Sequence, residues 1–222
     1  MMPCRIVIFA KAPMPGKLKT RLIPVLGPAG AARLAHWMLI HTVRQALAAR
    51  LGAVELCVAP SPSDPAWSDA LPRTLAATVS WEDQGTGNLG DKLARAAARV
   101  TSAGQVALLV GSDCPALTAL HLRQAARLMI GRDAVLVPSC DGGYVLLGLQ
   151  RTHPSVFADI AWSTPSVAKE TRARLTALGW RWVELPPLPD IDEPKNLVAV
   201  PSSWIARAAR TQDSSPARPR VS

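Results

Sequence analysis

Short, uninterrupted apolar runs alternate with longer stretches whose apolar residues recur at helical spacing. Residues 4–10, 53–59, 105–110, 133–138 and 144–149 are strand-sized runs rich in Val, Ile and Leu, and they predict buried β-strands. The run at 105–110 is the strongest, bounded by Gly104 and Gly111. Weaker strands are predicted near 78–81 and over 181–185. Helical spacing predicts helices over 28–50, 90–102, 118–130, 164–178 and 194–209, the first carrying the stripe Leu34, Trp37, Met38, Ile40, His41 and Leu47. Strands alternating with helices predict an α/β fold. No internal repeat or long linker divides the chain, which predicts one domain over 1–210. From Thr211 onward Ser, Pro and Arg dominate, and that composition predicts a disordered basic tail over 211–222.

Nearly half of the 222 residues are apolar, enough for a sizeable core, which excludes a disordered chain. The net charge of +9 suggests a polyanion partner at first sight. Most of the excess, however, sits in two segments, the loop at 11–21 and the end of the chain from 207. No nucleic-acid-binding motif accompanies them, so a non-enzymatic polyanion binder is the least favoured reading. Cys4, Cys57, Cys114 and Cys140 have neither zinc nor redox spacing and predict no disulfide framework. Lys11 and Pro13 interrupt the first apolar run, so no signal peptide is expected. No apolar stretch reaches membrane-spanning length. Together these features predict a soluble, cytoplasmic protein.

Chemistry concentrates where predicted strands end. Gly111-Ser112-Asp113-Cys114-Pro115 closes the strongest strand, and ligands of open α/β sheets bind at the carboxyl ends of strands. A carboxylate there suits a divalent cation shared with a nucleotide diphosphate, or else merely caps the next turn. After the first strand, Lys11, Lys17, Lys19 and Arg21 share a loop with Pro13, Pro15 and Gly16. Fixed cations and exposed backbone amides are what phosphate recognition needs, although a solvated charge run has the same composition. Gly85, Gly87 and Gly90 precede a helix start, where an anion is favoured. Asp141-Gly142-Gly143 is either a hairpin turn or a carboxylate placed to meet a metal or a sugar hydroxyl. Asp190 and Asp192 alternate on an extended segment, so both face one way and suit a hard cation; helix capping before Pro194 is the simpler alternative. No nucleophile elbow and no Cys–His pairing argues for a hydrolytic triad.

The motifs Phe-Ala-Lys-Ala-Pro-x-Pro-Gly-x-x-Lys-Thr-Arg-Leu at 9–22, Gly-Ser-Asp-Cys-Pro-x-Leu at 111–117, Asp-Gly-Gly-Tyr-x-Leu-x-Gly at 141–148, Trp-Ser-Thr at 162–164 and Asp-x-Asp-Glu-Pro at 190–194 occur in this order. In that order the chain, over about residues 4–200, resembles a bacterial GT-A-like family of the nucleotide-diphospho-sugar transferase superfamily. Its members are named as glycosyltransferases, and some are linked to arsenosugar biosynthesis. The resemblance implies a GT-A fold, a central mixed but mostly parallel sheet with helices on both faces. It also implies a nucleotide bound over the strand ends through Mg²⁺ or Mn²⁺. On the matching positions, Lys11, Gly16, Lys17, Lys19 and Arg21, with Gly85 and Ser112, would meet the nucleotide. Asp113 and Asp190 would hold the metal, and Asp141 and Asp192 would act in catalysis. Cys140 and Asn88 stand where many relatives carry acidic residues. The implied activity is metal-dependent glycosyl transfer from a nucleotide-diphospho-sugar to a small-molecule acceptor. The alternative is nucleotidyl transfer, guanylyltransferase-like, releasing pyrophosphate from a nucleoside triphosphate.

Overall fold

The computed structural model describes residues 3–209; the tail predicted at 211–222 lies outside the described residues. Seven strands form one sheet: β1 (Cys4–Lys11), β2 (Gly52–Ala59), β3 (Ser80–Asp83), β4 (Val106–Gly111), β5 (Ala134–Pro138), β6 (Tyr144–Leu149) and β7 (Trp182–Glu184). Their spatial order is β3-β2-β1-β4-β6-β5-β7. β6 runs antiparallel to β4 and β5, while the other pairings are parallel. Among the described residues, five α-helices lie between the strands, α1 (Ile23–Ala49), α2 (Arg73–Ala76), α3 (Leu89–Ser102), α4 (Ala119–Leu128) and α5 (Val167–Ala177), and α6 (Ser202–Ala209) follows β7.

The strand period of two sorts successive side chains into two cores. Ile6, Ile8, Leu108 and Val110 pack with Leu39 and Val43 of α1 and Leu122 and Ala125 of α4. Their neighbours Val7, Ala107 and Leu109 pack with Leu93, Ala97 and Val100 of α3 and Leu175 of α5. Both faces of the sheet are therefore covered, which is why its central strands are apolar without alternation. A third cluster joins Leu22, Leu26, Leu34 and Met38 to Ile191, Leu197 and Ala208, binding the segment from Ile191 to α6 against α1.

Two helices differ from the sequence-based expectation. The helix expected from 28 begins at Ile23 and kinks at Gly27, because Leu22 and Leu26 gain a buried place in the third cluster. The helix expected over 194–209 is two pieces, a 3-10 turn at Pro194–Ala199 and α6. Val200 is extended there, as the residue before a proline is biased to be, and Pro201 starts the second piece. Among the described residues, no helix is long and apolar enough to cross a membrane.

Because β6 is reversed, its first residue lies at the same edge of the sheet as the last residues of β1, β4 and β5. The loops after β1, β3, β4, β5 and β7 thus converge on one rim.

Candidate active site

The rim is assembled around Asp113. Its backbone carbonyl accepts a hydrogen bond from Ile191 N–H at 2.9 Å, which ties the 190–192 segment to the end of β4. The Ile191 side chain is fully buried in the third cluster. On an extended chain its neighbours Asp190 and Asp192 must then face away from that core, and both line the cavity beside Asp113.

Lys19 enters from the loop after β1. Its backbone is left-handed (φ 53°), and its side chain is only 7% exposed. Nζ donates to Asp113 Oδ2 at 3.0 Å and lies 3.5 Å from Asp192 Oδ1. Burial alone would lower the pKa of Lys19, but Asp113, Asp192 and Asp190 outweigh it and the ammonium is held above its usual range. Arg21 donates to Asp192 Oδ2 at 2.7 Å from a more exposed position. Asp190 makes no such ion pair among the described residues. Burial, and then the charges of Asp141 and Asp113, push its carboxyl up to about 6.

Asp141 sits in the β5–β6 turn, held by Ser139 Oγ and by Gly143 N–H at 3.0 Å, both donating to Oδ1. Neither of these contacts uses Oδ2. Gly142 pins the turn against α5: its carbonyl accepts from Ala168 N–H at 2.8 Å, and a Cβ there would stand 2.2 Å from the Pro165 carbonyl oxygen.

Two cavities meet at this rim. The larger, about 430 Å³, is lined by Asp113, Asp141, Asp190, Asp192 and Arg21, with Phe9, Tyr144 and Trp162 as its aromatic wall. Tyr144 and Trp162 meet edge to face at 6.4 Å, and the buried Tyr144 hydroxyl has no hydrogen-bond partner among the described residues. The smaller, about 380 Å³, is lined by Lys11, Lys19, Gln84 and Ser112 together with Met38 and Leu39 of α1. Asp113 and Asp192 belong to both cavities. Gln84 is fixed by donating to the carbonyls of Ala10 (3.1 Å) and Cys57 (3.0 Å), which leaves its own carbonyl oxygen free of those bonds.

Of the residues predicted from sequence, Lys11, Lys19, Arg21, Ser112, Asp113, Asp141, Asp190 and Asp192 come together here. Gly16, Lys17 and Gly85 line neither cavity. Gly85 has a packing reason instead: a Cβ would stand 2.7 Å from Arg95 Nη1, and Arg95 donates to the Gln84 carbonyl and, at 2.9 Å, to that of Thr86. Asn88 is the cap of α3, in a reciprocal pair with Asp91. Ser139, Gln84, Phe9 and the Tyr144–Trp162 pair were not singled out as site residues. The last two lay inside motifs that had been recognised, but nothing in the sequence showed that they share a wall.

Among the described residues, no three His, Cys, Asp or Glu side chains form a ready-made metal cage. The oxygen donors present nevertheless fit Mg²⁺ or Mn²⁺. Hard cations of the Mg²⁺ type are commonly held by one or two carboxylates and completed by phosphate oxygens and water.

The architecture and the rim define the fold of the nucleotide-diphospho-sugar transferases. The chain belongs to the DUF2064 family, described as uncharacterized proteins conserved in bacteria, whose model matches residues 42–164. A crystal structure from Desulfovibrio desulfuricans G20, provisionally named a nucleotide-diphospho-sugar transferase, is similar with a TM-score of 0.77 and 25% identity, covering 94% of this chain and 99% of that one. CMP:2-keto-3-deoxy-manno-octonic acid synthetase, solved with CTP, shares the fold at a TM-score of 0.55 and 16% identity, covering 92% of this chain and 99% of that one. A manganese complex of Rv0371c from Mycobacterium tuberculosis H37Rv shares it at 0.51 and 16%, covering 94% and 98%. Comparison with curated proteins finds no significant match.

Proposed function

We propose that this protein transfers a glycosyl group from a nucleotide-diphospho-sugar to a small-molecule acceptor, with Mg²⁺ or Mn²⁺. The observation that carries the reading is the shared wall: Asp113 and Asp192 stand between a lysine-lined cavity and one walled by aspartates and aromatic rings. The first suits a nucleoside diphosphate, because Lys11, Lys19 and Ser112 offer donors to phosphate oxygens. The second suits a sugar, whose hydroxyls bond to carboxylates while its C–H faces pack on Tyr144 and Trp162.

Asp113 and Asp190 would hold the metal, which when bound supplies charge neutralisation to the departing diphosphate. Lys11 and Arg21 add fixed positive charge near the same atoms. Asp141, with Oδ1 engaged by Ser139 and Gly143, keeps Oδ2 for the acceptor hydroxyl. That carboxylate takes the hydroxyl proton as the acceptor oxygen bonds to the anomeric carbon. The bond from that carbon to the diphosphate breaks, and its electron pair leaves with the nucleoside diphosphate. Asp192, hydrogen-bonded to Arg21, keeps the cation-bearing loop docked beside the reacting atoms.

Nucleotidyl transfer is the second reading, favoured by the run of cations that follows β1 and by the CTP complex of a protein with the same fold. Product analysis separates the two. Incubation with sugar nucleotides and Mn²⁺ is expected to release nucleoside diphosphate. Pyrophosphate release from a nucleoside triphosphate, with no turnover of any sugar nucleotide, would replace the first reading by the second.

A further inference from the structure

We propose that Lys19 is the resident cation of the carboxylate site: it engages Asp113, which would otherwise serve a divalent ion, and releases it most readily when a nucleotide's phosphates draw the lysine away. The proposal rests on the metal-dependent function read above.

The geometry carries it. Lys19 Nζ contacts an oxygen of Asp113 and lies near one of Asp192, so the ammonium bridges the two carboxylates that belong to both cavities. With the ammonium on Asp113 Oδ2, a divalent cation at this carboxylate meets a positive charge beside it and one oxygen already engaged. Lys19 is also a lining residue of the cavity suited to the diphosphate. Its amine therefore has an alternative anion within reach of a flexible four-carbon stem. Arg21 cannot replace it at Asp113, because its guanidinium is engaged with Asp192 and lies 3.8 Å from Glu193.

A consequence follows for the order of binding. Metal alone meets an Asp113 that is already paired with the Lys19 ammonium. A nucleotide alone competes with Asp113 and Asp192 for Lys19. Both together satisfy every charge, since phosphate takes Lys19 and the metal takes Asp113. Metal and nucleotide thus tighten each other by the same factor. A charge-assisted contact of this kind corresponds to a coupling of about ten- to hundredfold.

The test is Mn²⁺ binding, followed by paramagnetic resonance of free Mn²⁺ and by calorimetry, on wild-type protein and on Lys19→Met and Lys19→Arg. Titrations are run with and without a nucleoside diphosphate, after allowing for Mn²⁺ bound by the nucleotide in solution. Without nucleotide, Lys19→Met is expected to bind Mn²⁺ about ten- to hundredfold tighter than wild type. Lys19→Arg keeps a cation and is expected to stay near wild type. Lys19→Met is also expected to melt lower than wild type in chelator and to gain more from Mn²⁺. Unchanged or weaker Mn²⁺ binding by Lys19→Met, in a protein that still binds metal, overturns the inference and leaves the functional reading standing. If Lys19→Met does not fold, the wild type decides: equal Mn²⁺ affinity with and without nucleotide overturns the proposal. Absence of Mn²⁺ binding by wild type under both conditions overturns the inference and the metal-dependent function together.

Discussion

The two cavities that meet at Asp113 and Asp192 share Phe9 and Gly111 as well, and differ in what else lines them: Lys11, Lys19 and Gln84 in one, Asp141, Asp190 and Tyr144 in the other. The lysine-lined cavity takes its own residues from the parallel half: Ala10 and Lys11 from the end of β1, Gln84 after β3, and Ser112 after β4. The aspartate-lined cavity draws on the other half, where the reversed strand β6 makes a tight turn and brings Asp141 and Tyr144 to the rim. A parallel sheet presents loops that follow strand ends, with amides and cations free to meet an anion. One reversed strand adds a hairpin, and with it a carboxylate pinned by its own turn. On the proposed function, one fold places a surface for phosphate beside a surface for sugar hydroxyls.

The largest effect that would break this comparison is expected in the acidic cavity. Asp141→Asn should slow transfer by about 10²- to 10⁴-fold, the range for loss of a general base, while nucleotide affinity in the other cavity stays within twofold. Single-turnover rates measured beside nucleotide titrations check it; a parallel loss of affinity would show that the two cavities are not functionally separate. Asp113 belongs to both, so Asp113→Ala should cost each of them. Nucleotide binding in Mn²⁺ should weaken by about a hundredfold and lose its dependence on Mn²⁺. Unchanged circular dichroism would show that the fold survives, and retained metal dependence would remove Asp113 from the site.

A smaller effect is expected at Arg21, which lies in the acidic cavity yet comes from the basic loop. Arg21→Ala should weaken a nucleoside diphosphate about tenfold and leave the bare nucleoside unaffected, since one charge-assisted contact is lost. Equal losses for nucleoside and nucleotide would make the loop a solvated charge run.

The smallest effect sharpens the electrostatic contrast. Asp190 titrates at about 6 in the folded chain, against 3.8 as its ordinary value, so the native state holds the proton more tightly than the unfolded one. Between those two values the unfolded state binds fewer protons, and stability contributed by this group falls as pH rises. Asparagine mimics the protonated acid and carries no such slope. In chelator, the melting temperature of Asp190→Asn minus that of wild type should therefore grow from pH 4 to pH 7, reaching a few degrees by the size scaling of thermal unfolding, roughly 2–4 °C per kcal/mol. A flat difference across that range would mean that burial and the neighbouring carboxylates do not raise Asp190.

The apolar runs of β1, β4, β5 and β6 were legible because a strand covered on both faces must be apolar throughout, and that pattern needs no knowledge of what covers it. The position of Asp113 was legible for a related reason, since a polar corner closing such a run can only lie at a strand end. The start of α1 and the break before α6 were not. Leu22 and Leu26 are helical because Ile191 and Leu197, far along the chain, give them a core to join. The left-handed backbone at Lys19 likewise has no local signal, as a lysine is not a residue that prefers it.

The sequence by itself determined the α/β alternation, the strand ends that bear Asp113 and Asp141, and the residue types that gather at the rim. Hydrophobic periodicity and turn chemistry are properties of neighbours in the chain. Only the tertiary structure decided that Lys19 bridges Asp113 and Asp192, that Lys17 and Gly85 stay outside both cavities, and that Tyr144 and Trp162 form one wall. Those are distances between residues up to 173 positions apart, set by strand order and by the packing of helices on both faces, and no local pattern encodes them.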